Sequence, residues 1–424
     1  MPGAELPLVT ALPFVALLLA IALAPLAAPK WWHDNRNKAL VALLVSAPIL
    51  VYLGINAPDL LQEKFHEYLG FIVVIGALFV VAGGIHVQGS FAGTPLVNTG
   101  MLGLGAVLAN LLGTTGASVL LIRPLLRANK RRKRVAHIVI FFIFIVANCG
   151  GLLTPLGDPP LLLGFLKGVP FEWTLRLWPQ WLMVNGILLV VFNLWDQWAL
   201  NEDEKELPGS QHEEVLIHEP PRIQGGIEML VLLGIIVTIV LAGSELVILV
   251  LALIGYFASS GERRAKNGFT FGPLIEVAVL FAAIFATMAP VLEMLNVWAQ
   301  RPEFALSKPW HFFWASGTLS SVLDNAPTYL AFAASAAGLH GVAPHGAYIG
   351  TLALDPVAGK LLGAISTGAV FMGANTYIGN APNFMVRAIA EENGVRMPSF
   401  FGYMAYSLGI LLPLFVLVSV VFFR

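Results

Sequence analysis

Charge is scarce in this chain. Only 12% of its 424 residues are Asp, Glu, Lys or Arg, against about 25% in an ordinary soluble domain. A single cysteine, Cys149, excludes a disulfide framework within the chain and any thiolate metal cluster. The net charge of −1 excludes a general electrostatic affinity for nucleic acid, and no nucleic-acid partner is expected. No Walker A pattern, HExxH, GxSxG or paired Cys/His cluster occurs, so ATP-driven pumping and membrane hydrolysis have no support, and neither an enzymatic activity nor a cofactor is expected. The stretch before Leu6 lacks the basic region of a secretory signal peptide. What is abundant is apolar surface: 57% of residues are hydrophobic and the mean hydropathy is +0.79. One water-soluble core cannot hide that much, so lipid must cover the excess.

Apolar stretches long enough to cross a bilayer, about 20 residues, fall at 6–28, 38–56, 68–86, 135–166 and 179–198, then at 226–241, 245–259, 271–292, 356–389 and 399–423. Between the third and fourth of each set lies a segment that is not one clean span. Thr94–Ala128 is interrupted at Gly113-Thr114-Thr115-Gly116, and Lys308–Leu339 at Asp324-Asn325-Ala326-Pro327. Both are read as re-entrant hairpins, because irregular backbone at membrane depth survives only where protein or a wet cavity surrounds it. The expected fold is an all-α polytopic membrane protein of two five-span repeats, 1–200 and 226–424, joined by an acidic cytoplasmic linker at 201–225. With the N-terminus outside, 17 of the 24 Lys and Arg residues fall on the cytoplasmic side, among them Arg131–Arg134 and Arg263–Lys266. That agrees with the positive-inside rule.

The halves share a motif that hydrophobicity alone does not produce. Gly151, Thr154, Gly157, Asp158 and Pro160 recur as Gly373, Thr376, Gly379, Asn380 and Pro382, all at an offset of 222. The tips Leu112–Thr115 and Leu323–Ala326 correspond at an offset of 211. An odd number of spans per half means the halves enter the membrane with opposite orientation, the inverted-repeat plan of secondary transporters. Gly150, Gly151, Pro155, Gly157, Pro159 and Pro160 oppose a continuous helix. The bland alternative is a proline-kinked helix with packing glycines.

A break frees carbonyls and helix ends in the membrane interior. Carbonyls, hydroxyls, amides and a carboxylate suit a small cation, while helix N-termini favour an anion. The candidate binding residues are Thr114, Thr115, Asn148, Thr154, Asp158, Asp324, Asn325, Thr328, Asn375, Thr376, Asn380 and Asn383. Asp158 and Asp324 are the candidate Na⁺ ligands, since an intramembrane carboxylate is costly and usually functional. Each could instead be a helix cap at a break. Glu245, Glu276 and Glu293 read as interfacial, and His86, Asn98 and Asn110 as packing residues with hydrogen bonds.

The run Asn148-Cys-Gly-Gly-Leu-Leu-Thr154-Pro-Leu-Gly157-Asp158-Pro-Pro resembles the broken-helix loop of the ion transporter superfamily. That superfamily includes NhaD-type sodium/proton antiporters, citrate–metal transporters, arsenite permeases and divalent anion/sodium symporters. Asp158 stands where the anion symporters have Thr, and Asp324-Asn325-Ala326-Pro327 resembles an antiporter tip. Thr114-Thr115 departs from the Asn-Asp pair of arsenite permeases and some antiporters, and the Ser-Asn-Thr signature of dicarboxylate symporters is not met in full. The resemblance implies a homodimer in which a transport domain moves against a scaffold by an elevator motion. The expectation is a sodium (or other cation)/proton antiporter of a bacterial inner membrane, with Na⁺ and/or H⁺ as coupling ions and membrane lipid around it. The rival is a Na⁺- or H⁺-coupled citrate or dicarboxylate symporter, and a channel or structural membrane protein is the third class. A buried arginine at the site would favour a carboxylate substrate; Arg123 and Arg387 are the near candidates.

Overall fold

The computed structural model describes residues 6–206, 219–241 and 243–424. The first half runs α1 (Leu12–Ala27), α2 (Asn35–Asn56), α3 (Pro58–Ala82), strand β1 (His86–Ser90), α4 (Pro95–Ala128), α5 (Ala136–Ile145), α6 (Pro159–Leu166) and α7 (Trp178–Glu206). Strand β2 (Glu219–Gln224) follows, then α8 (Gly226–Val240), α9 (Glu245–Ala258), α10 (Gly272–Ala299), α11 (Pro309–Ser320) and α12 (Asn325–Leu339). The chain ends with α13 (Tyr348–Leu354), α14 (Ala358–Met372), α15 (Ala381–Glu392) and α16 (Phe400–Phe422). This is an all-α polytopic membrane protein.

Several boundaries differ from those expected. The third span starts at Pro58, ten residues before Tyr68, because a proline at the first helical position and Asp59 in the first turn start the helix there. The broken span of the second half starts at Ala358, since α13 and α14 meet at 112°. Of the linker, 201–206 continues α7, while 219–224 pairs antiparallel with β1. Residues 207–218 lie outside the described residues.

The first hairpin is proved by its ends. Asn98 and Asn129 exchange side-chain hydrogen bonds of 2.9 and 2.8 Å, whereas 31 residues of straight helix would span roughly 46 Å. The fold-back occurs at Gly113, whose φ of 75° a side chain would oppose. In the second hairpin the Phe312 and Phe332 rings meet edge to face at 6.4 Å, which puts α11 and α12 antiparallel around the Val322–Asp324 tip.

The interhelix contacts sort into two bundles. Helices α1, α2, α3, α8, α9 and α10 form a supporting bundle, and the hairpins, broken helices, α7 and α16 form a site-bearing one; α8 and α9, expected as spans, are shorter apolar helices. The seam between them is α10 on α12 and α3 on α4 and α6. Loop contacts define two faces. At one, Arg127 donates to Val87 O (2.8 Å), Arg132 pairs with Asp196 (2.7 Å) and Lys38 with Glu276 (2.7 Å). At the other, Asn296 donates to Val342 O (2.8 Å) and Trp173 to Ala353 O (2.9 Å). The first hairpin rises from the first face and the second from the opposite one, so the two hairpins are inverted relative to each other.

Candidate functional site

Each broken span folds around a pair of glycines. A Cβ on Gly157 would collide with the carbonyl of Gly151, and one on Gly379 would lie 2.6 Å from the carbonyl of Gly373. The close backbone approach is the same in both halves, which gives the recurring glycines a physical reason. Helices then restart behind Asp158 and Asn380, with prolines in the first turn where no N–H is needed.

The hairpins are fastened to these loops by equivalent hydrogen bonds. Thr154 Oγ1 donates to Asn110 O (2.5 Å), and Thr376 Oγ1 to Ser321 O (2.5 Å). Asn110 Nδ2 donates to Gly150 O (2.7 Å), and Ser321 Oγ to Met372 O (3.1 Å). These pairs obey the offsets of 222 and 211. Asn110, expected only as a hydrogen-bonded packing residue, and Ser321, outside the expected set, thus join the site, and the offset of 211 aligns them. Asn375 joins this group by donating to Ser321 Oγ (2.9 Å).

Both tips converge on Asp158, which is 2% exposed. Thr114, beyond the Gly113 bend, donates through Oγ1 to Asp158 Oδ1 (2.8 Å), and its backbone N–H donates to Gly157 O (2.8 Å). Asn325, first residue of α12, donates through Nδ2 to Asp158 Oδ2. Asn380, the repeat partner of Asp158, donates through Nδ2 to Asp158 Oδ1 (3.1 Å). Behind it, Asn148 Nδ2 donates to Asn383 Oδ1 (2.7 Å), while Asn383 Nδ2 donates to the carbonyls of Gly373 and Thr376 (2.9 Å each). One carboxylate, carried by the first broken loop, therefore gathers donors from both hairpins and the second broken loop.

Three of the candidates stand differently. Asp324 accepts from Ala326 N (3.0 Å) and caps α12. Thr328 donates to Asp324 O one turn back (2.9 Å), and half-buried Thr115 enters no hydrogen bond of this network. Neither arginine reaches Asp158 in these hydrogen bonds. Arg387 pairs with Glu391 (2.9 Å) and covers the Tyr377 ring, and Arg123 lies against Gly268.

Two buried oxygens near this network, Asn325 Oδ1 and Asn375 Oδ1, have no hydrogen-bond partner. The ends of α6, α12 and α15 that bear Asp158, Asn325 and Asn380 are N-termini, carrying partial positive charge. The arrangement can hold a small cation among oxygens and an anion at helix ends.

The family described as "Putative citrate transport" matches residues 3–423. The chain belongs to that family. The match covers both hairpins and both broken loops, and it makes the chain a transport protein of the citrate-permease kind. No curated protein matches the chain.

Proposed function

We propose that the protein is a cation-coupled secondary transporter of citrate-like carboxylates, with Asp158 as the seat of the coupling Na⁺ or H⁺. The observation that carries this reading is a buried carboxylate whose donors are one hydroxyl and two amides, with no basic side chain among them. A buried anion so placed is costly unless a cation or proton neutralises it. While it stays charged it repels an anionic substrate. Once neutralised, it leaves the converging helix N-termini to favour the substrate's carboxylate. Cation binding thus precedes anion binding, which is symport. Asn325 Oδ1 and Asn375 Oδ1 offer further hard oxygen ligands.

In this reading the site-bearing bundle moves against the supporting one within a homodimer embedded in lipid, in a bacterial inner membrane. The face with Arg131–Arg134 and Arg263–Lys266 is cytoplasmic. A second reading is favoured by where the two near arginines sit, Arg387 paired with Glu391 and Arg123 against Gly268: Asp158 exchanges Na⁺ for H⁺ and no organic anion is carried. Proteoliposomes decide between them. Symport gives labelled citrate uptake driven by an inward Na⁺ or H⁺ gradient, whereas exchange gives Na⁺-driven proton movement without citrate. Absence of both fluxes would sink both readings.

A further inference from the structure

Six ionisable side chains gather where the two bundles meet at the second face, and the transport reading uses none of them. Glu63, Lys64 and Glu67 come from α3, Glu293 from α10, Lys167 from the residue after α6, and His345 from the turn before α13. Lys167 Nζ lies 2.7 Å and Lys64 Nζ 2.9 Å from Glu67 Oε1. Glu63 Oε1 accepts from Gly346 N (3.2 Å), and His345 Nε2 is 3.3 Å from Glu293. Both lysines are 2% exposed, and Glu67 Oε2 is buried without a partner.

Such a cluster adds little net stability over an apolar contact, because the charges lose hydration on burial. The same property makes it separable, since water solvates the parted charges, whereas a parted apolar seal exposes surface at a steady cost. Its members also divide by bundle: Lys167, His345 and Gly346 on the site-bearing side, the four others on the supporting side. The eight residues of α6 put Lys167 roughly 13 Å from Asp158, at 1.5 Å per residue. The carbonyl of Lys167 accepts from Gly350 N (3.0 Å), tying in α13 as well.

We propose that Lys167 is a positioning residue. Paired with Glu67, it anchors α6, and with it Asp158, to the supporting bundle at this face, and the pair parts when the site turns toward that face. This rests on the reading that the bundles move.

Spin labels at His66→Cys in α3 and Leu354→Cys in α13, in a Cys149→Ala background, read the separation by double electron–electron resonance. The parent should give one principal distance, and Glu67→Gln with Lys167→Met should add a second, longer population. Lys167→Arg should restore the parent distribution, and melting temperatures report folding. Should the double variant not be isolable, Lys167→Met alone is held to the same criterion. An unchanged distribution in the neutralised variant would overturn the anchor. Parent protein that carries no citrate yet shows the distance change would count against the carboxylate reading and leave the anchor standing.

Discussion

The aspartates of the first broken loop and the second hairpin tip differ in what surrounds them. Asp158 takes donors from three directions, while Asp324 accepts from one N–H, that of Ala326, in the first turn of its own helix. Asp158→Asn should abolish coupled transport yet melt close to wild type. The new amide would face the Nδ2 of Asn325, but a flip of Asn325 presents its unpartnered Oδ1 instead. Asp324→Asn keeps the cap, since Asn caps as well as Asp, so transport should survive; Asp324→Ala should destabilise by about 1 kcal/mol. Loss of transport in Asp324→Asn at normal stability would give that carboxylate an ion-binding role. Apparent cation affinity, from uptake at varied Na⁺, should weaken as pH falls, because proton and cation compete for Asp158.

The elements are held in register by glycines and by hydroxyls. Gly157→Ala should abolish transport and lower the melting temperature strongly, because its Cβ meets backbone that cannot give way. Thr154→Val and Thr376→Val are nearly isosteric, yet each leaves a buried hairpin carbonyl, of Asn110 or Ser321, without its donor. Each should destabilise by about 1–3 kcal/mol in a reversible unfolding measurement, with similar values for the two because the contacts are equivalent. A loss confined to Thr154→Val would break that equivalence. The recurring Gly-Thr-Gly spacing was legible in the sequence, and so were the hairpin tips. That Asn110 and Ser321 form an equivalent pair was not legible, because an Asn and a Ser at equivalent positions share no residue type, only a role.

At the scale of the whole molecule, the two faces give a topology that labelling can test. With Cys149 fully buried, a cysteine at exposed Lys130 should resist a membrane-impermeant thiol reagent in sealed cells, and one at Arg301 should react. Labelling at position 130 from outside would invert the assignment of faces. Sequence by itself determined that the chain lives in lipid, roughly where its apolar helices lie, and where the Gly/Pro-rich loops break them. Each of those is a local property, written in runs of apolar residues and in Gly and Pro that no helix interior accepts. Of the ten expected spans, the structure has among its described residues seven helices of spanning length and composition, or eight with the bent pair counted as one. Tertiary structure alone decided which acid the tips converge on, how the spans divide into two bundles, and that Lys64 and Lys167 are buried rather than surface charges. The contacts that settle these points join residues from about 40 to more than 200 positions apart, such as Thr114 and Asn380 to Asp158 and Lys167 to Glu67. Hydropathy reports only whether a residue prefers water or lipid. Whether a buried charge finds a partner depends on which helices pack side by side.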